Sequence, residues 1–157
     1  FKRIAPLTQD QVKTRDGEEL VTRFFAYSDG LDGYRDRVSD FLLAYSRKMN
    51  ELFAAGQADA AKYREAFNQT MSFVERAFPF GFRTSPKGIT TRKARFEAIA
   101  VGSRIALRKD PGLVDQAIDV SGWITSDEFR EVTGSDGANA IKRLEDRIEF
   151  VRSRLGA

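Results

Sequence analysis

The chain has 157 residues and a formal net charge of +3, and it contains no cysteine and no histidine. This composition excludes disulfide bonds, thiol nucleophiles, Ser-His-Asp catalysis and metal sites built from cysteine or histidine. Hydrophobic residues make up 41% of the chain, and no apolar run reaches the roughly 20 residues of a membrane span. We therefore expect one globular domain, cytoplasmic and without membrane contact.

Helical periodicity dominates the first half of the chain. After an opening segment, 1–14, three stretches repeat apolar residues every three to four positions, which is the spacing of one helix face. They lie between Asp16 and Gly30, from Val38 to Gly56, and from Tyr63 to the residue before Pro79. Glycine or proline stops each helix, and the short links predict antiparallel neighbours, as in a bundle.

The first of these helices begins in the segment RDGEELVTRFFAY, residues 15–27. Asp16 is predicted to cap it, because a carboxylate accepts a hydrogen bond from an unpaired backbone N–H at a helix start. Glu19 and Arg23 are four residues apart, in the better orientation for a helical ion pair. If Phe24 and Phe25 are buried, Arg23 borders the core and its aliphatic stem is packed.

The second half begins with a loop, 79–90, whose prolines and glycines exclude a helix although Phe80, Phe82 and Ile89 favour burial. Thr90 or Thr91 is predicted to cap the next helix. That helix carries apolar residues on two faces, so we expect it to be buried on two sides. Gly102 and the alanines beside it would let a partner helix approach closely.

Three shorter elements follow Asp110. They are a helix over about 112–119, a helix opened by a capping box at Thr125–Glu128, and a final helix with a heptad-like seam too short for a coiled coil. The seam residues are Ile141, Leu144, Ile148, Val151 and Leu155. No strand-like alternation is present. The predicted fold is one all-α domain, 1–157, an irregular bundle of roughly six or seven helices, with helical pairs at 16–78 and a helical C-terminal part at 91–157.

The charge is unevenly distributed along this chain. Residues 83–109 carry eight basic side chains against Glu97 alone, a net of +7, and residues 110–137 carry seven acidic side chains against Arg130, a net of −6. Either the basic block faces phosphate groups, or the two blocks neutralise each other in space. The second interpretation is favoured, because charge runs are usually solvated faces of a protein.

The basic block supplies the candidate nucleic-acid contacts, because cations at a helix start can hold phosphates. They are Arg83, Lys87, Arg92, Lys93, Arg95, Arg104, Arg108 and Lys109. Phe80 and Phe82 could stack on a base, but burial in the core is the favoured interpretation. Glu145 and Glu149 are interpreted as surface ion-pair residues. We assign no catalytic residue and no metal ligand.

A series of short motifs runs through almost the whole chain. The first is Arg15-Asp16-x-Glu18-Glu19-Leu20-Val21-x-Arg23-Phe24-Phe25-Ala26. Later members are Tyr34, Phe41-Leu42, Tyr45-x-x-x-Met49-Asn50, Phe67, Phe78, Phe82-Arg83, Lys93 with Phe96-Glu97, Phe129, Thr133 and Arg147-Ile148. Together they resemble the helical C-terminal part of the GmrSD-type restriction endonuclease N-terminal-domain family, which belongs to the ParB/sulfiredoxin-like superfamily.

This resemblance implies a chain without its catalytic half. In the family, an upstream α/β part carries an Asp-Gly-Gln-Gln-Arg-like motif tied to nucleotide binding and hydrolysis, and members act in bacterial defence against foreign DNA. No Asp-Gly pair of this chain is followed by Gln-Arg. A nucleotide is therefore implied only for the missing domain, and no cofactor is expected on this chain. Phe1 in place of Met agrees with a fragment of a longer protein.

The expected function is a non-catalytic helical portion of a GmrSD-related, ParB-like NTPase of anti-phage restriction, which contacts DNA or serves as a scaffold. Its expected partners are the upstream α/β domain, DNA and a second copy of the chain. The alternative is a protein–protein interaction or oligomerisation module that uses the terminal seam and has no nucleic-acid role. An independent enzyme is the least favoured reading, because histidine, cysteine and a phosphate-binding loop are absent.

Overall fold

The computed structural model describes residues 1–134 and 138–156. Within them the chain forms seven α-helices and no β-strand, which confirms the predicted all-α class. The helices are α1 (Gln9–Lys13), α2 (Asp16–Asp29), α3 (Val38–Ala54), α4 (Ala60–Ala77), α5 (residues 93–109), α6 (Asp127–Val132) and α7 (Ile141–Arg154), and a 3₁₀ turn, Pro111–Asp115, follows α5.

Helix α5 is the central element of the fold. It starts as an α-helix at Lys93–Phe96, widens to a π-helical turn at Glu97–Val101 and continues as an α-helix at Gly102–Lys109. Every residue from Arg95 to Ser103 is buried. Helices α2, α4 and α7 pack around it, which confirms the predicted burial on two sides.

Gly102 lies where α5 and α7 pack closely against each other. A Cβ atom at this position would lie 2.8 Å from Cβ of Val151 and 2.9 Å from the carbonyl oxygen of Ile148. Real Cβ atoms do not tolerate such distances, so glycine is required for this helix pair. The prediction of a close helix approach at Gly102 is confirmed.

The heptad-like seam of α7 lies inside the domain. Leu144, Ile148, Val151 and Leu155 are all buried, with exposed fractions of 7% or less. The seam packs on α5. The expectation that it offers a free surface to a partner protein is therefore wrong, because the fold itself uses that surface.

Aromatic residues contribute to the core around α5. Phe24 and Phe82 are fully buried, and the ring of Phe82 lies 4.7 Å from that of Phe96, so burial rather than base stacking is confirmed for Phe82. Phe25 is partly buried with its ring 4.9 Å from that of Phe24. Ile89 is 75% exposed, so its predicted burial is wrong.

The opening segment holds the loop 79–90 in place. The carbonyl oxygen of Ile4 accepts a hydrogen bond from the backbone N–H of Phe82 at 2.9 Å. The Thr91 hydroxyl donates to the carbonyl oxygen of Pro6 at 3.0 Å. Thr91 therefore ties the opening segment to the loop and does not cap α5, whose N-cap residue is Arg92. The predicted cap at Thr90 or Thr91 is wrong.

Two other predicted helix starts also differ from the structure. Arg15 is the N-cap of α2 in a left-handed conformation, φ 61°, and the carboxylate of Asp16 accepts a hydrogen bond from the Thr14 hydroxyl at 2.8 Å instead of capping the helix. Ser126, one residue after Thr125, caps α6 by accepting a bond from the Phe129 N–H at 3.1 Å. The helix predicted over 112–119 is only the short 3₁₀ turn.

Candidate functional site

A buried ion network joins three helices at the centre of the fold. The carboxylate of Glu97, on α5, accepts a hydrogen bond from Arg147 of α7 at 2.7 Å and a second from Arg23 of α2. The side chains of Glu97, Arg23 and Arg147 are only 3%, 9% and 1% exposed. The two guanidinium groups therefore share one buried carboxylate. Pairing of this kind offsets the free-energy cost of burying a charge.

The network extends to the surface along α2. Arg23 also donates to Glu19 at 2.6 Å, which confirms the predicted helical pair. Glu19 in turn binds the ammonium of Lys93 at 2.9 Å, and Asp16 lies 3.8 Å from the same Nζ. Lys93, a candidate nucleic-acid contact, therefore forms its ion pairs with carboxylates near the start of α2.

Burial and ion pairing act on the carboxyl groups of this network in opposite directions. Burial alone would raise the pKa of Glu19, but the hydrogen bonds from Lys93 and Arg23 outweigh it and hold the pKa below its usual value. Burial raises the pKa of Glu97 against the opposing effect of its two arginines. Because both carboxylates are bound by cations, the network fastens helices together and offers no free acid or base.

The network collects residues from three of the sequence motifs. Asp16, Glu19 and Arg23 come from the first motif, Lys93 and Glu97 from a later one, and Arg147 from the last. The pairing of Glu97 with Arg147 was not predicted from the sequence. The signal was available, because Glu97 is the only acidic residue of the basic block and lies in an apolar stretch, where a carboxylate needs a partner.

The basic candidates divide between the two ends of α5. Arg83, Lys87, Arg92, Lys93 and Arg95 belong to its start and to the loop before it, whereas Arg104, Arg108 and Lys109 belong to its end. Seventeen helical residues span roughly 25 Å at about 1.5 Å per residue. The structure therefore separates the block into two basic regions and does not gather all eight residues at one site.

Several of these cations have structural contacts within the chain. Arg83 donates to the carbonyl oxygens of Phe80 and Pro86 at 3.0 and 3.1 Å and so stabilises its own loop. Arg108 donates to the carbonyl oxygen of Ser28 at 3.1 Å, near the end of α2. Burial, with a contribution from Arg108, lowers the pKa of Arg104.

The acidic block does not neutralise the basic block. Within residues 1–134 and 138–156, Lys93 is the only basic residue of 83–109 that forms an ion pair, and its partners Asp16 and Glu19 lie on α2. In the acidic block, Asp127 pairs with Arg130 at 2.7 Å. The favoured interpretation, that the two blocks pair with each other, is therefore wrong for the part of the chain that the structure describes.

Arg95 has the least usual surroundings of the eight candidates. Its side chain is buried, with 4% of the residue exposed, and its guanidinium carbon lies 4.9 Å from the ring centre of Phe129. Nη1 donates to the carbonyl oxygen of Ile124 at 3.4 Å, whereas Nε and Nη2 have no partner in the described chain. Burial, with the charge of nearby Arg92, lowers the pKa of Arg95 to about 10.

A small cavity of about 80 Å³ lies beside the Arg95 side chain. Its wall contains three arginines and three threonines, namely Arg92, Arg95, Arg130, Thr84, Thr125 and Thr133. No carboxylate is among the described residues that line it. The loop 79–90, the start of α5 and the segment around α6 each contribute to this wall, which explains why sequence spacing did not reveal it.

Comparison of the chain with protein-family models, with curated proteins and with solved structures gave no significant match. The described helices include none that is both long enough and apolar enough to cross a membrane. A search of the same residues for three or more clustered carboxylate, histidine or cysteine ligands also found none.

Proposed function

We propose that this chain is a helical nucleic-acid-contacting module that binds phosphate groups at the start of α5. The observation that carries the proposal is the unneutralised charge of that region. Lys87 and Arg92 are exposed, and neither forms an ion pair with another residue of the described chain. Such a surface attracts polyanions and releases their counterions on binding.

The position of these cations supports a role outside folding. Lysine and arginine are favourable at the end of a helix, where the macrodipole is negative, and unfavourable at its start. Arg108 and Lys109 follow this rule at the end of α5. The start of the helix carries Arg92, Lys93 and Arg95, where positive charge is unfavourable. Of these three, only Lys93 is compensated by carboxylates among the residues that the structure describes. A bound anion would compensate the others.

The motif resemblance favours DNA as the nucleic acid and an upstream nucleotide-hydrolysing domain as the partner. On this proposal, the chain is the helical part of a GmrSD-related defence protein, and catalysis belongs to the α/β part. The buried ion network agrees with a non-catalytic role for this chain, because the motif residues in it join helices. These residues are Glu19, Arg23, Glu97 and Arg147.

The test is a salt titration of DNA binding with matched charge reversals. Fluorescence anisotropy with a labelled duplex should show binding at low salt that weakens with a linear dependence of log K on log salt concentration. The double variant Lys87→Glu, Arg92→Glu should weaken binding and lower the salt slope by about two. Reversal of the exposed pair Lys62 and Arg64 on α4 supplies the same change of charge elsewhere.

Loss of binding in the Lys87/Arg92 variant but not in the Lys62/Arg64 variant supports the proposal. Equal losses in both would mean that only net charge matters, and absence of binding at low salt would exclude the proposed function. A third variant, Arg108→Glu with Lys109→Glu, reports whether the other end of α5 takes part. We expect it to lose less affinity, because Arg108 already binds the end of α2.

A further inference from the structure

We infer that the cavity beside Arg95 is a binding site for a terminal phosphate monoester of a nucleic-acid strand. This inference rests on the proposed function and deepens it, because it names the group that the module binds. The cavity is lined by three arginines, three threonines and Ile124, and one of the arginines, Arg95, has a buried and incompletely bonded guanidinium.

The free edge of Arg95 has the donor geometry of an oxyanion site. Nε–H and one Nη2–H of a guanidinium lie on the same edge and point in parallel, so together they bind two oxygens of one phosphate or carboxylate. In this structure these are the two nitrogens without a partner, while Nη1 is occupied by the Ile124 carbonyl. A buried guanidinium with this edge unbonded is costly, and an anion bound against this edge would remove that cost.

The net charge of the cavity wall favours a dianion. Arg92, Arg95 and Arg130 supply three positive charges, and Asp127, which pairs with Arg130 at 2.7 Å, offsets one. The remaining two charges match a phosphate monoester, which carries between about −1.5 and −2 at pH 7. An internal phosphodiester or a carboxylate carries only one negative charge.

The size of the cavity favours the end of a strand. Its volume of about 80 Å³ is small, which favours a single tetrahedral oxyanion over a base or a sugar. An internal phosphate has a nucleotide on either side and requires a groove that is open at both ends. A terminal phosphate enters from one side and leaves the strand outside, near Lys87 and Arg92.

Three ligands distinguish the possible sources of the phosphate. They are a short single-stranded oligonucleotide with a 5′-phosphate, the same oligonucleotide with a 5′-hydroxyl, and inorganic phosphate. Isothermal titration calorimetry measures affinity. Trp123, the only tryptophan, adds an optical signal because its ring lies 5.7 Å from that of Phe129, over which Arg95 packs.

We expect the 5′-phosphorylated strand to bind at least about ten-fold more tightly than the 5′-hydroxyl strand, the effect of one charge-assisted bidentate contact. Arg95→Met should abolish that difference, and Arg95→Lys, which keeps the charge but not the fork, should restore only part of it. Arg104→Met, at the other end of α5, should leave the difference unchanged. Thermal melting of each variant separates lost binding from lost folding.

Three other binding results would contradict the inference, each in a different part. Equal affinity for the two strands would show that only internal phosphates are bound, so that the terminal-phosphate site fails while the proposed function stands. Binding of inorganic phosphate that depends on Arg95, without binding of either strand, would assign the cavity to a small phosphate and exclude the nucleic-acid function. An unchanged preference in Arg95→Met would exclude the cavity itself.

Discussion

Glu97 and Arg147 form an ion pair at 2.7 Å although they are fifty residues apart and both side chains are almost completely buried. The pair joins α5 to α7, and Arg23 adds α2 through the second carboxylate oxygen of Glu97. A single carboxylate therefore holds two buried guanidinium groups, and the three helices that meet at this point contain about half of the buried hydrophobic residues of the described chain.

Replacement of Glu97 with Gln should be among the most destabilising polar substitutions in the chain. It leaves Arg23 and Arg147 buried without a counter-charge, and breaking a buried pair in this way costs about 3–5 kcal/mol. Urea unfolding followed by circular dichroism measures the loss. Glu149→Gln is the control, because its pair with Arg152 is half-exposed and contributes about 1 kcal/mol or less. Similar losses in both variants would contradict the central role of Glu97.

Gly102→Ala should destabilise the protein by about 1–3 kcal/mol, because the added methyl group overlaps Val151 and the α7 backbone. The second substitution Val151→Ala should recover little of the loss, because it removes Cγ1 at 3.1 Å but keeps Cβ of Val151 at 2.8 Å and the carbonyl oxygen of Ile148 at 2.9 Å. Gly122→Ala is the matched control, since no atom lies within 4 Å of a Cβ at that position. Calorimetry gives the melting temperatures of the unsubstituted chain, Gly102→Ala, the double variant and Gly122→Ala. The prediction fails if Gly102→Ala has the same melting temperature as the unsubstituted chain.

The contribution of Glu19 to stability should depend on pH in a defined direction. Its pKa is lower in the folded chain than in the unfolded one, where it is about 4.3. The stabilisation is therefore complete above the unfolded value and is lost as the pH falls through the folded value. The difference in unfolding free energy between the unsubstituted chain and Glu19→Gln should shrink below about pH 4.

Lys93→Met provides the companion measurement for Glu19. It removes the ammonium that binds this carboxylate at 2.9 Å, so Glu19→Gln in that background should show a smaller change with pH. A difference that grows as the pH falls would mean that the pKa shift has the opposite sign.

Arg95→Met should make the unliganded protein more stable by about 1 kcal/mol or more, because an incompletely bonded buried cation is replaced by an apolar side chain of similar length. Arg147→Met is the contrasting variant. It removes a buried guanidinium that is fully engaged, so it should destabilise the chain. If Arg95→Met lowers the melting temperature as much as Arg147→Met does, the guanidinium of Arg95 is paired and the anion site loses its energetic basis.

Leu144→Asp should unfold the chain rather than dissociate an oligomer. Leu144 is 1% exposed, and a carboxylate at this position would be buried without a partner. Leu43→Asp on α3 is the control, because Leu43 is 52% exposed. Circular dichroism and sedimentation of both variants distinguish the outcomes. A folded Leu144→Asp protein with a reduced mass would restore the terminal seam as an interface between chains.

Whether a feature could be predicted from the sequence depends on how far apart in the chain the interacting residues lie. Helix class, the stop before Pro79, the close approach at Gly102 and the Glu19–Arg23 pair were all predictable, because each depends on periodicity, backbone geometry or neighbours four residues apart. The caps were less predictable. The Thr91 hydroxyl donates to Pro6, eighty-five residues earlier, and so is lost to its own helix.

By itself, the sequence determined an all-α chain with a concentrated basic block and no histidine or cysteine chemistry. Only the tertiary structure decided which of the cations pair with carboxylates inside the fold. It placed Lys93 against α2, buried Glu97 between Arg23 and Arg147, and left Arg95 beside a cavity whose described lining residues include no carboxylate. The physical reason is that a charge is stabilised by whatever packs against it, and in this fold those neighbours come from segments far apart in the chain.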